Sequence, residues 1–147
     1  IAGTFSVGLY TFSNVIYAMV GYPIGVLADK YSKKAILSMG YLLFGLLCFG
    51  FLVAHGQLWF LGVLFAIRGI YTAIIESSQP ALASTLIAAD QRGTGYGVMS
   101  SVDGVGNFLS SITVGLLWTF ISPIVGFAFG GVLAVISGFI LFFLRFK

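Results

Sequence analysis

The chain alternates long apolar segments with short polar joins. A membrane helix needs about 20 largely apolar residues to cross about 30 Å of hydrocarbon. Polar joins such as "ADKYSKK", "HGQ", "ADQRG" and "ISP" separate segments of at least that length. We therefore predict an all-α polytopic membrane protein with five transmembrane helices, at about residues 5–27, 35–54, 58–88, 94–120 and 123–144.

Three of the five spans carry polar residues three and four positions apart, which places them on one face of a helix. The stripes are Tyr10, Ser13, Asn14, Tyr17 and Gly21 in the first span, Arg68, Thr72, Glu76 and Gln79 in the third, and Ser100, Asp103, Asn107 and Ser110 or Ser111 in the fourth. An unpaired polar group in hydrocarbon costs several kcal/mol. We therefore expect these three spans to surround a polar interior and the second and fifth spans to pack outside them.

The segment "IIESSQPALA" places a carboxylate and a proline in the middle of the third span. Pro80 has no amide hydrogen, so the carbonyl of Glu76 loses its helical partner and we expect a kink there. An ionisable residue inside a membrane span marks a functional site by default. A second interpretation stays open, in which Glu76 is satisfied locally and Pro80 only bends the helix.

The charged residues of the third and fourth spans are expected at similar depths in the membrane. Counted at 1.5 Å per residue from the turn at Asp90 to Arg92, Glu76 lies about 21 Å and Asp103 about 16 Å into the membrane. We expect the two carboxylates to face one another and one of them to hold a proton near neutral pH, with Asn107 as a hydrogen-bond partner of Asp103. Arg68 lies about 12 Å along the helix from Glu76 and is rotated about 80° from it, so no salt bridge is expected between them. The guanidinium then contacts an anionic substrate, a carboxylate elsewhere in the protein, or backbone carbonyls.

Small residues four positions apart predict close helix packing in lipid. The pairs are Gly21 with Gly25, Gly106 with Ser110, Ser111 with Gly115, and Gly126 with Gly130.

Composition excludes several classes of protein. Hydrophobic residues make up 59% of the chain and charged residues 7%, against about 25% charged residues in soluble domains. The net charge of +3 rests on few bases, which do not form the basic face of a nucleic-acid-binding protein. The single cysteine, Cys48, stands alone in an apolar run, and no span contains histidine. We therefore expect no enzyme active site and no cofactor.

Basic residues set the predicted orientation, because Lys and Arg accumulate in cytoplasmic loops. Five spans place all of them but Arg68 at one side: Lys30, Lys33, Lys34, Arg92, Arg145 and Lys147. We expect that side, with the C-terminus, to be cytoplasmic. His55 lies at the other side and is interpreted as a polar turn residue.

The first cytoplasmic join, "GVLADKYSKK", resembles the signature loop of the major facilitator superfamily. The matching positions are Gly25, Asp29, Lys30, Lys33 and Lys34, whereas Ser32 stands where the family usually has glycine. The segment from "LFAIRGIYTA" to "SSVDGVG" resembles the tenth and eleventh helices of bacterial and archaeal members. The resemblance covers essentially the whole chain.

This resemblance implies a fragment of a twelve-helix secondary transporter, with the chain as helices eight to twelve. Helices eight, ten and eleven would line the cavity, and nine and twelve would brace it. An alignment with helices two to six is less favoured, because no long charged central loop follows "RFK". Implied partners are a small-molecule substrate, protons or another coupling ion, the missing N-terminal half, and the lipid of a bacterial or archaeal cytoplasmic membrane.

Two groups of residues are predicted to carry the function. The substrate or proton pathway comprises Asp103, Glu76, Arg68, Asn107, Gln79, Asn14 and Tyr17. The signature loop forms a conformational latch, in which Asp29 holds two helix ends together by hydrogen bonds and a basic partner. By resemblance, that partner belongs to helix five of the missing half. An ordinary positively charged loop is the alternative for the latch.

Two other functions stay open at this stage. Five helices with polar stripes also suit a short protein that forms an oligomeric pore or exporter. A non-transporting membrane scaffold or a decayed fragment is the remaining alternative.

Overall fold

The computed structural model describes residues 2–54 and 56–144, and it confirms the all-helical fold. Five α-helices occupy the five predicted spans: α1 (Ala2–Lys30), α2 (Lys33–Leu52), α3 (Leu58–Leu86), α4 (Arg92–Phe120) and α5 (Pro123–Phe143). A single 3-10 turn, Ala89–Gln91, precedes α4. The predictions for His55, Arg145 and Lys147 lie outside the described residues.

Four of these helices are long and apolar enough to cross a membrane: α1, α2, α3 and α5. The fourth helix in sequence, α4, has 29 residues and is therefore about 43 Å long. Its length suffices, but its polar stripe lowers its apolarity below that of the other four. That α4 also crosses the membrane stays a prediction.

Local sequence explains how the short joins turn. Gly56 has φ = +77°, in the left-handed region that favours glycine, and it ends the join between α2 and α3. Before α5, the Ser122 hydroxyl accepts a hydrogen bond from the amide of Val125 at 3.4 Å, and Pro123 occupies the first helical turn. Serine followed by proline is a typical helix start, so the sharp reversal between α4 and α5 is encoded locally.

The helices α2, α3, α4 and α5 form a ring, and α1 packs along α3 and also touches α2 lightly. Within the ring α2 lies between α3 and α5, while α4 packs mainly on α5 and touches α3 only lightly. Among the described residues α1 and α4 do not contact each other. The three polar helices therefore do not share the expected common interior in the described chain. Instead, α3 contacts α1 and α4 separately.

Close helix contacts occur at glycines other than those predicted. An added Cβ would approach Val135 within 2.6 Å at Gly45, Ile74 within 2.6 Å at Gly40, and Leu42 within 3.0 Å at Gly138. Of the predicted pairs, only Gly126 and Gly130 have neighbours: Gly126 packs against Trp118, and an added Cβ at Gly130 would lie 3.9 Å from Cys48 Sγ. The prediction was wrong for the remaining glycines of those pairs, which face open space: Gly21, Gly25, Gly106 and Gly115.

The hydroxyl of Ser38 ties α2 to α5, because it donates to the carbonyl of Gly138 at 2.7 Å in a buried position. At the end of the same pair, Lys34 Nζ donates to the carbonyl of Leu144. The join between α1 and α2 and the end of α5 therefore lie at one end of the bundle, as the five-span topology requires.

Proline does not end α3, which continues through Pro80 to Leu86. The Pro80 carbonyl accepts a hydrogen bond from the Tyr96 hydroxyl of α4 at 3.2 Å. A second proline, Pro23, lies inside α1. Both helices that carry interior prolines also carry polar stripes, so neighbouring polar groups are available to freed carbonyls.

Candidate functional site

Hydrogen-bonded pairs of side chains join the polar faces that the sequence predicted. The Tyr17 hydroxyl of α1 donates to Glu76 Oε2 of α3 at 2.6 Å. Glu76 is exposed within the described chain, and this phenol is its one hydrogen-bond donor there. The stripes of α1 and α3 therefore meet, and the predicted pathway residues Tyr17 and Glu76 form a direct pair.

The second hydrogen-bonded pair links α3 to α4. Gln79 Nε2 donates to both carboxylate oxygens of Asp103, at 3.1 Å and 2.9 Å. Gln79 lies three residues after Glu76, so one turn of α3 offers a carboxylate to α1 and an amide to α4. The two carboxylates thus have different hydrogen-bond partners, and they do not hydrogen bond to each other.

No base neutralises these carboxylates among residues 2–54 and 56–144. Each accepts hydrogen bonds only from a neutral side chain there, and no Lys or Arg nitrogen lies within 4.0 Å of either. A neutral donor stabilises an ionised carboxylate less than a cation does. Neither carboxylate is therefore fixed in an ion pair within the described part of the chain.

Arg68 lies about two turns before Glu76 on α3, and as predicted it forms no salt bridge with it. Its Nη1 donates to the Ser13 hydroxyl of α1 at 3.0 Å, and its Cζ lies 4.9 Å from the centre of the Tyr10 ring. Ser13 is fully buried. Contact with Tyr10 adds a cation–π interaction, so α1 holds the guanidinium without supplying a counter-charge.

A close helix approach makes these contacts possible. At Gly69, next to Arg68, an added Cβ would collide with the carbonyl oxygen of Ser13 and lie 3.0 Å from Ile16 Cβ. Glycine thus allows the backbones of α1 and α3 to come together where their polar faces meet.

Two predicted pathway residues do not join this network. Asn14 Nδ2 donates to the Tyr10 carbonyl of its own helix at 2.9 Å. Asn107 is exposed, and in the described part of the chain its side chain makes no hydrogen bond. The expected bond between Asn107 and Asp103 was wrong: the Gln79 amide of α3 is the donor to Asp103 instead.

The predicted latch residues lie at the lysine-bearing end of the bundle. Lys30 ends α1, while Lys33 and Lys34 begin α2. Asp29 is exposed and has no hydrogen bond or ion pair in the described segments, and an added Cβ at Gly25 would meet no atom within 4 Å. This end of α1 therefore presents an uncovered surface.

The polar stripe of α4 is exposed along its whole length. None of the residues of α4 is buried, although the helix includes apolar side chains such as Phe108 and Val102, which are 66% and 65% exposed. Both a polar and an apolar face of α4 are therefore uncovered in the described chain.

Sequence reasoning missed Tyr10, Ser13 and Tyr96 as members of the site. Tyr10 and Ser13 lie in the predicted stripe of α1, so their spacing was the available signal. Tyr96 follows the turn at the start of α4 and gave no such signal. It contacts α3 through the Pro80 carbonyl.

Comparisons with known proteins agree with the predicted family. The sequence profile of the Major Facilitator Superfamily matches residues 2–147. Over 138 residues, 94% of this chain, the sequence is 37% identical to an uncharacterized MFS-type transporter of Methanocaldococcus jannaschii. The chain spans 34% of that relative's length. No solved structure matches the chain.

Proposed function

Because the chain belongs to the Major Facilitator Superfamily, we propose that it forms helices eight to twelve of a secondary active transporter that moves a small solute by alternating access. Family membership and the MFS-type relative support transport in general. The proposal includes a conformational latch at Asp29 and a coupling ion. It also includes the placement of this chain in the C-terminal half of the transporter, with an N-terminal half completing it. The transporter assignment also argues against an enzyme.

One observation carries the proposal: two carboxylates within membrane helices have only neutral partners in the described chain. Glu76 and Asp103 are held by Tyr17 and Gln79. A carboxylate kept permanently ionised in a membrane bundle is normally paired with a base. Carboxylates held by a phenol and an amide are not fixed in ion pairs, so a coupling ion or the solute has access to them as a partner.

The exposed surfaces support a larger assembly. The stripe of α4 is uncovered, and most residues of α1 are exposed although it packs on α3 and touches α2. We propose that the N-terminal half of the transporter faces these two surfaces across a water-filled cavity. Asn14 and Asn107 then border that cavity rather than bond within this half.

The latch follows from the same geometry. Asp29 is exposed at the end of α1, so a helix end and a base from the other half have access to it. Breaking that contact would release one conformation and remaking it would stabilise the other, as alternating access requires. We place this end in the cytoplasm because it carries Lys30, Lys33 and Lys34.

The test uses the complete transporter reconstituted in liposomes with a panel of radiolabelled solutes and an imposed pH gradient. Wild type should accumulate at least one solute. Asp103→Asn and Glu76→Gln should insert normally, since neutral amides are cheaper to bury than carboxylates, but should lose gradient-driven accumulation.

Solute exchange without a gradient separates two versions of the proposal. If the carboxylates carry protons, exchange persists in both variants, because exchange moves no net proton. If they bind the solute, exchange fails too. Normal accumulation by both variants would refute the assignment of the site.

A further inference from the structure

The ring of α2, α3, α4 and α5 is not filled at its centre. A cavity of about 360 Å³ lies there and is lined by residues of all four helices. It lies toward the end of the bundle opposite to the lysines, because Phe51 is near the end of α2 and Trp118 near the end of α4. The Glu76 and Asp103 pairs lie outside its lining.

Aromatic rings dominate the walls of this cavity. The six are Phe44, Phe51, Phe65, Tyr71, Trp118 and Phe127. They contact one another, with ring centres 4.9 Å apart for Phe44 and Tyr71 and 5.2 Å apart for Phe51 and Phe127. Such a wall favours a flat aromatic guest, since stacked and edge-to-face contacts add to the burial of apolar surface.

The cavity has one charged lining residue, Arg68. One N–H of its guanidinium donates to the Ser13 hydroxyl. In the described part of the chain no carboxylate lies within salt-bridge range of the guanidinium. This half-buried cation lies over the Tyr10 ring of α1, and its remaining N–H donors are stabilised by an anion that can accept two parallel hydrogen bonds. Carboxylate geometry fits that requirement.

Size limits the guest further. A cavity of about 150 Å³ takes up one benzene molecule, so 360 Å³ accommodates about two fused rings. We propose that this cavity binds an aromatic monocarboxylate of one or two rings, with the rings among the aromatic side chains and the carboxylate on Arg68. The inference rests on the proposed function in one respect: such a compound is then a candidate class of transported solute.

The test measures binding to the complete wild-type transporter in detergent by equilibrium dialysis with two radiolabelled probes. The probes, 2-naphthoate and 2-naphthylmethanol, share their rings and differ in charge. Wild type should bind the acid at least about tenfold more tightly than the alcohol, because only the acid forms charge-assisted hydrogen bonds with Arg68. Arg68→Gln should reduce acid binding to the level of the alcohol and leave alcohol binding unchanged.

A pair of variants at Gly130 locates the site. An added Cβ at Gly130 meets nothing nearer than Cys48 Sγ at 3.9 Å, so Gly130→Ala should bind both probes normally. Gly130→Leu places a larger side chain in the cavity and should abolish both. Equal affinity of wild type for the two probes, no binding of the acid, or normal acid binding by Gly130→Leu would each overturn the inference.

These outcomes are independent of the proposed function. If naphthoate does not bind while Asp103→Asn still abolishes accumulation, the cavity inference fails and the transport proposal stands. If Asp103→Asn transports normally while naphthoate binding depends on Arg68, the reverse holds. Should Arg68→Gln not fold, the comparison of the two probes on wild type and the Gly130 variants still decides the question.

Discussion

Replacing Gly69 with alanine tests the close approach of α1 and α3, on which the polar contacts between them depend. The added Cβ would lie 3.0 Å from Ile16 Cβ and 3.1 Å from Ile16 Cγ2, whereas ordinary contact begins at 3.4 Å, and it would collide with the Ser13 carbonyl oxygen. A backbone oxygen cannot move without its helix. The helices therefore separate by about half an ångström or more, which weakens the Tyr17 bond to Glu76 and the Arg68 bond to Ser13.

The expected magnitude comes from a matched control on the same helix. An added Cβ at Gly62 meets no atom within 4 Å, so Gly62→Ala gains the helix propensity of alanine without a clash. That gain, about 1 kcal/mol, is common to both variants. The difference between them isolates the steric cost, which we expect to be about 1–3 kcal/mol.

Unfolding of the complete transporter in mixed micelles, titrated with a denaturing detergent and followed by circular dichroism, measures that difference. Gly69→Ala should unfold at lower detergent fraction than Gly62→Ala and should also transport more slowly. Equal stability and equal transport in the two variants would show that α1 and α3 do not approach each other closely at Gly69 in the working protein.

Three further predictions concern single side chains. Tyr17→Phe should slow gradient-driven transport, because it removes the hydroxyl that donates to Glu76, whereas Tyr22→Phe, at an 82% exposed position, should not; equal transport in both variants would remove Tyr17 from the site. Ser38→Ala should destabilise the protein by about 1 kcal/mol, because it breaks the buried bond to the Gly138 carbonyl, and Ser101→Ala, which loses an exposed bond within its own helix, should cost less. Asp29→Asn should lower the turnover of solute exchange more than the apparent affinity for the solute. Asp90→Asn, in the join between α3 and α4, should change neither; unchanged turnover in Asp29→Asn would leave Asp29 a topological role only.

Much of the fold follows from local sequence. Apolar length between polar joins is a local property, so the five helices were predictable, and the start of α5 at Ser122 and Pro123 agrees with its cap. Local sequence does not determine which helices pack side by side. Whether Tyr17 meets Glu76 depends on which helices pack together and on how each is rotated about its axis.

The glycines show the same limit. A pair of small residues four positions apart gives one helix a surface without bulky side chains. Close packing also needs a second helix against that surface. Gly21 and Gly25 satisfy the spacing and face open space, whereas Gly69 has Ala73 four residues later, and both are buried. For Asp103, sequence proximity favoured Asn107 as partner. Packing supplied Gln79 from α3 instead.

The claim that the polar faces of α1 and α4 border a water-filled path is tested most directly by thiol accessibility in the complete transporter. Single cysteines would replace Asn14 and Asn107 on the polar faces, and Ile136 and Phe139 on α5, in a background lacking Cys48. A membrane-impermeant methanethiosulfonate reagent should modify the cysteines at positions 14 and 107 and spare those at 136 and 139, which are 48% and 52% exposed in the described chain and should face lipid. Modification of the α5 positions at equal rate, or none at positions 14 and 107 from either side of the membrane, would contradict the account.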